Sequence, residues 1–264
     1  TLLARRRCVI RSVHQNAFLM PCQWAPLRFI STVVLMAWRC HASNNAGLVE
    51  ALTANGLVTH SRVKDAMLLI DRGHFAASQT DAYMDHPHGI GYGVTMSAPH
   101  MHAHCLEVLE AHLHEGANVL DVGSGTGYLT ACMGAMVGPQ GKAWGVEHVP
   151  ELVAFGRANM EKSAEGRQML GEGRVAFLQG DGRLGLPEHA PFDAIHVGAA
   201  SPEMPEHLKR QLKVGGRLVV PVGRGEQWIM QIDRIGENQW NETKLMGVRY
   251  VPLTSLDEQL RGSR

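Results

Sequence analysis

Apolar residues fall at helical spacing soon after Ser43: Leu48, Val49 and Leu52 share one face, and Gly56 stands where a left-handed residue would close the helix. A second helix is predicted with Ser61 as its N-cap and Val63, Met67 and Ile70 on its buried face, running to Gly73. Residues 76–104 show little period and many loop formers (Pro87, Gly89, Gly91, Gly93, Pro99). A loop-rich connector is expected there, of the kind that carries substrate contacts beside a rigid scaffold. Helical patterning resumes at Cys105 and continues through Leu113.

The pattern then changes. Asn118–Val122 is a short apolar run ending in glycines, and it opens an alternation of predicted elements. These are helix Leu129–Met136, strand Ala143–Val146, helix Glu151 to about Lys162, strands Val175–Gln179 and Phe192–Val197, helix Pro205–Leu212 and strand Arg217–Val222. Strands alternating with helices predict a doubly wound α/β fold, a mostly parallel sheet covered on both faces. After Gly223 no helix is expected. Trp228–Ile235 and Lys244–Val251, joined by a polar turn from Gly236, predict an antiparallel hairpin at the sheet edge.

The chemistry enters at Val119-Leu120-Asp121-Val122-Gly123-Ser124-Gly125-Thr126-Gly127-Tyr128, an apolar strand running into three alternating glycines at a helix start. Side chains at Gly123, Gly125 and Gly127 would keep an adenosyl ligand off the backbone. A dinucleotide fingerprint needs glycine three places after Gly125, where Tyr128 stands, so a nicotinamide dehydrogenase is disfavoured. The G-x-G-x-G spacing behind Asp121 is the form associated with S-adenosylmethionine. Glu147 ends the next strand, where a carboxylate can accept from both ribose hydroxyls. Gly180-Asp181-Gly182 ends the third and offers a carboxylate to an adenine amino group. Asp121, Glu147 and Asp181 are therefore expected to converge at the carboxyl edge of the sheet.

Composition narrows the picture. A chain of 264 residues, 45% hydrophobic, holds one α/β unit with modest additions. Lysine plus arginine equals aspartate plus glutamate at 25 each, yet residues 1–35 hold Arg5, Arg6, Arg7, Arg11 and Arg28 and no acid, leaving 25 − 5 = 20 basic against 25 acidic side chains elsewhere. That balance disfavours a nucleic-acid groove. Residues 1–35 form an expected extension, with an organelle transit peptide, translated upstream sequence and a disordered tail as the three readings. Phe29–Trp38 is too short an apolar run for a membrane span. The scattered cysteines (Cys8, Cys22, Cys40, Cys105, Cys132) predict no disulfide and a reducing, cytoplasmic setting. His100, His102 and His104 alternate without a cysteine or acid to complete a metal site; packing or hydrogen bonding is expected of His100 and His104, and a structural role of His196.

The segment Tyr83-Met84-Asp85 followed by Ile90-Gly91-Tyr92-Gly93-Val94-Thr95-Met96-Ser97-Ala98-Pro99-His100-Met101-His102-Ala103 resembles the substrate and catalytic segment of protein-L-isoaspartate O-methyltransferases. Asp121 to Ala131, Gly180 to Arg183, Phe192 to Ala200, Leu212 to Gly223 and Tyr250-Val251-Pro252-Leu253-Thr254 are also similar to that family, and Met36-Ala37-Trp38 to its usual start. The resemblance implies a Rossmann-like class I methyltransferase over residues 36–264, using S-adenosyl-L-methionine to esterify the α-carboxylate of L-isoaspartyl residues in damaged proteins, as a monomer. It implies Ser97 as the active-site serine. It also implies cofactor contacts from Val94, Thr95, Met96, Ser97, His102, His148, Thr254 and Gln259, beside Asp121, Gly123, Ser124, Gly125, Gly127, Glu147, Gly180 and Asp181. Two other classes stay open: a nucleic-acid methyltransferase, for which Pro21-Cys22-Gln23 lies on the wrong side of the glycine turn, and a binding module that holds the cofactor without turnover.

Overall fold

The computed structural model describes residues 40–79 and 81–262; the extension 1–35 with its Pro21-Cys22-Gln23 motif, and Met36-Ala37-Trp38, lie outside the described residues. Helices α1 (Asn45–Ala54) and α2 (Ser61–Leu69) precede a small ribbon of β1 (His88–Gly89) and β2 (Thr95–Met96), then α3 (Pro99–Leu109). The alternating part runs β3 (Asn118–Val122), α4 (Tyr128–Met136), β4 (Lys142–Glu147), α5 (Pro150–Met160), α6 (Ala164–Gly171), β5 (Val175–Gln179), β6 (Phe192–Val197), α7 (Glu206–Arg210) and β7 (Leu212–Val222). Last come β8 (Gln227–Gly236), β9 (Gln239–Val248) and α8 (Leu256–Gly262).

One seven-stranded sheet has the order β5-β4-β3-β6-β7-β8-β9. It is parallel through β7 and antiparallel for β8 and β9. This is the doubly wound fold with a C-terminal hairpin that the patterning predicts. Strand order reverses between β3 and β6, and a crevice therefore opens at their carboxyl ends, because the connections leave toward opposite sides.

Successive strand residues face opposite sides, and each side here has its own core. Val119 packs into a cluster with Leu106, Met133 and Ala194. Leu120 and Val122 pack into another with Ile195, Val197 and Leu218. Burial on both faces is why β3 and β6 appear as continuous apolar runs. The same alternation sends Asp121 and His196 to the Val119 side, where β3 and β6 pair them in register.

Several boundaries differ from the patterning, each for a local reason. Ser61 is not the N-cap of α2: His60 holds that position without a capping side chain, and Glu107 from α3 accepts from the Thr59 and His60 amides, each at 3.0 Å. That helix stops at Leu69, and Arg72–His74 forms a separate 3-10 turn. Helix α3 starts at Pro99 rather than Cys105, because the histidines in its first turns hide the apolar period. Helix α6 was not expected; Ser163 caps it by accepting from the Gly166 amide at 2.9 Å. Helix α8 overturns the expectation that helices end after Gly223. Its signal was legible as a capping box, with Ser255 Oγ accepting from Glu258 N at 3.3 Å and the Glu258 carboxylate reaching back to Ser255 N at 3.5 Å.

Gly127 is the left-handed residue that turns the chain into α4, at φ +83°. A Cβ there would lie 2.7 Å from Phe177 Cζ and 3.2 Å from the Gly156 Cα. Gly127→Val is accordingly expected to destabilise the protein by roughly 2–4 kcal/mol, from left-handed strain plus overpacking. Gly171→Ala, with nothing within 4 Å of its added carbon, should be neutral or slightly stabilising. Chemical denaturation of the pair checks both; equal stabilities would refute the packing account of Gly127.

Candidate active site

The turn after β3 carries two more left-handed glycines, Gly123 at φ +74° and Gly125 at φ +50°. Together with Gly198, at the end of β6, they leave bare backbone along the floor of the crevice. A Cβ on Gly198 would come within 3.0 Å of the Gly123 carbonyl oxygen. Two cavities share Val94, Gly123 and Gly198. They form two halves of one crevice, divided at Val94.

The first half is lined by Glu147 and His148 from the end of β4, by Gly182, and by Thr254 and Gln259 from the C-terminal segment. Glu147 is 5% exposed. Its carboxylate accepts from Gly125 N at 3.2 Å and Val149 N at 3.1 Å, which pins the glycine turn to the end of β4 and leaves lone pairs toward the cavity. Gln259 lies along α8 and donates Nε2–H to the Tyr92 carbonyl at 2.7 Å, so the C-terminal helix clasps the turn at Gly91-Tyr92-Gly93. All three residues of that turn have positive φ.

The second half is lined by Thr95 and Met96 of β2 and Ser97 just after it, by His102 on α3, and by Asp121, Ser124, Gly125 and His196. Ser124 Oγ is buried with no hydrogen-bond partner among the described residues. Bare glycine backbone, an orphaned hydroxyl and a carboxylate with spare lone pairs form a donor and acceptor set that fits an adenosyl group. Ser97 is half-buried, and the Tyr250 hydroxyl, whose pKa burial pushes well up, interacts with Ser97 and Cys105.

Asp121 lies against this cavity, but its oxygens are already engaged. Oδ2 accepts from Thr130 Oγ1 at 2.6 Å and Oδ1 from His196 Nδ1 at 2.8 Å. Burial by itself favours a neutral His196 ring; Cys105 and Asp121 outweigh it and push its pKa up to about 10. Asp181 follows β5 but is absent from both cavity linings, as is Gly180. Its carboxylate takes a two-pronged contact from Arg183, Nε at 2.9 Å and Nη2 at 2.6 Å, and this pairing lowers its pKa. Gly127 stands behind the turn, against Phe177. The three acids are thus gathered at one sheet edge, while Glu147 alone turns its carboxylate to the crevice.

Of the histidines, His100 bonds to Asp85 through Nδ1 at 2.8 Å, and His104 keeps a buried Nε2 without a partner among the described residues. His102 is held by Arg72, whose Nη1 donates to its Nδ1 at 2.9 Å. Burial first and Arg72 second drive the His102 pKa well down, so the ring is neutral. Arg72 and Gly198 belong to the site, yet sequence patterning did not single them out. Gly198 had a signal, standing just past an apolar strand; Arg72 had none, falling at the end of the expected second helix as one more charged residue.

A sequence profile of the protein-L-isoaspartate(D-aspartate) O-methyltransferase family matches residues 43–258. Protein-L-isoaspartate O-methyltransferase 1 of Arabidopsis thaliana is 54% identical over 220 residues, covering 83% of this chain and 95% of that protein. The Caenorhabditis elegans protein-L-isoaspartate O-methyltransferase is 48% identical over 227 residues, covering 85% of this chain and 98% of its own. A Plasmodium falciparum chain described as a protein-L-isoaspartate O-methyltransferase, solved in complex with S-adenosyl-L-homocysteine, superposes with a TM-score of 0.74 at 32% identity, covering 80% of this chain and 98% of that one. The chain belongs to the protein-L-isoaspartate(D-aspartate) O-methyltransferase family.

Proposed function

We propose that the chain esterifies the α-carboxylate of L-isoaspartyl residues in damaged proteins, with Glu147 and the glycine turn holding S-adenosyl-L-methionine and Ser97 aligning the acceptor. The observation that carries this reading is the adjacency of the two cavities, which share Val94, Gly123 and Gly198 and so set Glu147 and Ser97 on either side of a common wall. S-adenosyl-L-methionine, when bound, supplies a methyl group activated on a sulfonium. Every other requirement falls to the protein.

An α-carboxylate with a pKa of roughly 3.5 is ionised at neutral pH, so no base need remove a proton. The side chains at the crevice suit that economy: His196 is committed to Asp121, and the Nδ1 lone pair of His102 to Arg72. What remains is alignment. Ser97 donates to one acceptor oxygen and leaves the other facing the donor half of the crevice, a proximity effect that can contribute several kcal/mol. The α8 clasp on the Tyr92 carbonyl holds the loop before Val94 against the C-terminal segment. Thr254 and Gln259 line the Glu147 half from the C-terminal side, and His148 lies beside Glu147. An open groove lined by Trp228, Arg249 and Tyr250 begins at Thr254 and gives a polypeptide room to approach. The ester has a better leaving group than the acid, so attack by the following backbone nitrogen closes a succinimide that reopens partly to normal aspartate.

The catalytic unit is assigned to residues 36–264, working as a monomer in the cytoplasm. Among the described residues no helix is long and apolar enough to cross a membrane. Labelled methyl transfer to matched isoaspartyl and aspartyl peptides tests the reading: label is expected only on the former, and equal labelling would remove the repair specificity. Ser97→Ala is expected to cut kcat/KM for the isoaspartyl peptide about 10–100-fold, the worth of a hydrogen bond to a charged group, with cofactor affinity little changed. An unaltered kcat/KM would remove the role of Ser97.

A further inference from the structure

Arg72 is 0% exposed, and among the described residues no carboxylate forms an ion pair with it. Its guanidinium instead donates to three neutral acceptors: the Ala82 carbonyl from Nε at 3.0 Å, the Ser97 carbonyl from Nη2 at 2.7 Å, and His102 Nδ1 from Nη1 at 2.9 Å. The Tyr128 ring lies under it at 5.2 Å. The nearby Asp85 acts on it only through space: Oδ1 is spent on the backbone amide and ring of His100, at 3.0 and 2.8 Å, and Oδ2 is buried without a hydrogen-bond partner among the described residues. A neutral donor could satisfy the same acceptors without the cost of burying a charge, a cost that an acid making no contact with the guanidinium returns only in part. The positive charge itself therefore calls for an explanation. It sits one peptide group from the side chain assigned to the methyl acceptor, and that acceptor is an anion.

We propose that Arg72 is the positioning residue of the methyl-acceptor subsite: its fork fixes the Ser97 carbonyl and the His102 ring, and its charge favours a carboxylate beside Ser97. The inference rests on the reading that Ser97 faces the isoaspartyl carboxylate. A guanidinium only donates, so His102 Nδ1 must be the bare nitrogen and the ring proton must sit on Nε2. Arg72 thus sets the tautomer of a residue that lines the same cavity as Ser97. Lysine would keep the charge at this position but not the three-way fork.

The test compares an isoaspartyl peptide with its isoasparaginyl amide as competing ligands of the full chain with S-adenosyl-L-homocysteine bound. The wild type should prefer the carboxylate. Arg72→Gln should lower that preference about tenfold while changing cofactor affinity less than about threefold, and Arg72→Lys should recover part of it. A packing role alone would weaken both peptides equally, and an unchanged preference in Arg72→Gln overturns the proposal. If Arg72→Gln does not fold, nitrogen-detected NMR of the wild-type imidazoles decides. His102 is expected to stay neutral with its proton on Nε2 where histidines ordinarily titrate, and a proton on Nδ1 or a titrating ring overturns the wiring. Failure of the underlying reading shows separately, as unchanged acceptor kinetics in Ser97→Ala.

Discussion

Asp121→Ala is expected to lose about 3–5 kcal/mol of folding stability, the range for removing one partner of a buried ion pair. Asp121 and His196 are 2% and 5% exposed, sit side by side on β3 and β6, and meet at 2.8 Å. Without the carboxylate, a ring otherwise held protonated is left alone in a low-dielectric layer and must lose its proton. Thr130 Oγ1 is stranded as well. Thr130→Val removes the other hydrogen bond without touching the charge and should cost only about 1 kcal/mol. The pair also predicts a pH dependence. The His196 pKa is raised from its ordinary 6.5 to about 10, so the stability it contributes is fully present below 6.5 and drains away as pH rises toward 10. Urea denaturation of the wild type, Asp121→Ala and His196→Gln at a series of pH values measures this. The wild type should weaken across that window, and both variants should be flatter. A wild-type curve as flat as theirs would mean the pair holds no protonated ring.

That pair also marks where sequence reading reaches its limit. The run Asn118–Val122 announces a strand because both its faces are buried, and the glycines after it announce a turn whose conformation only glycine adopts readily. Both signals are local, and both survive in the structure. The partner of Asp121 lies 75 residues away and is chosen by sheet register, so an acid that resembles a cofactor contact in sequence proves to be occupied by a neighbouring strand. The same holds for Arg72, whose link to Ser97 spans 25 residues of irregular chain. Helix α3 was legible only in part, since a polar histidine face covers its first turns. Helix α8, by contrast, has a local signal in Ser255 and Glu258, a capping box too short in its following apolar pattern to stand out from the hairpin before it. Local backbone chemistry is written locally; which polar groups neutralise each other is written in topology.

Glu147→Ala is expected to weaken binding of S-adenosyl-L-homocysteine about 100-fold or more, measured by calorimetry. Two hydroxyl donors to one buried carboxylate are each worth about 1.5–3 kcal/mol, so even partial loss reaches that factor. A second effect adds to it. The same carboxylate anchors Gly125 N and Val149 N, and removing it frees the glycine turn that forms the floor of the crevice. Glu147→Gln separates the two contributions. Its single amide oxygen can replace one of the two backbone contacts, while its NH2 faces the other amide N–H, donor against donor, and can no longer accept from a ribose hydroxyl. The glutamine variant should therefore recover part of the stability that alanine loses, through the one contact it keeps, yet bind the cofactor well below the wild type. Comparable affinity in all three proteins would show that the carboxylate serves only the turn, and the ribose would then have to be held by another group along the crevice.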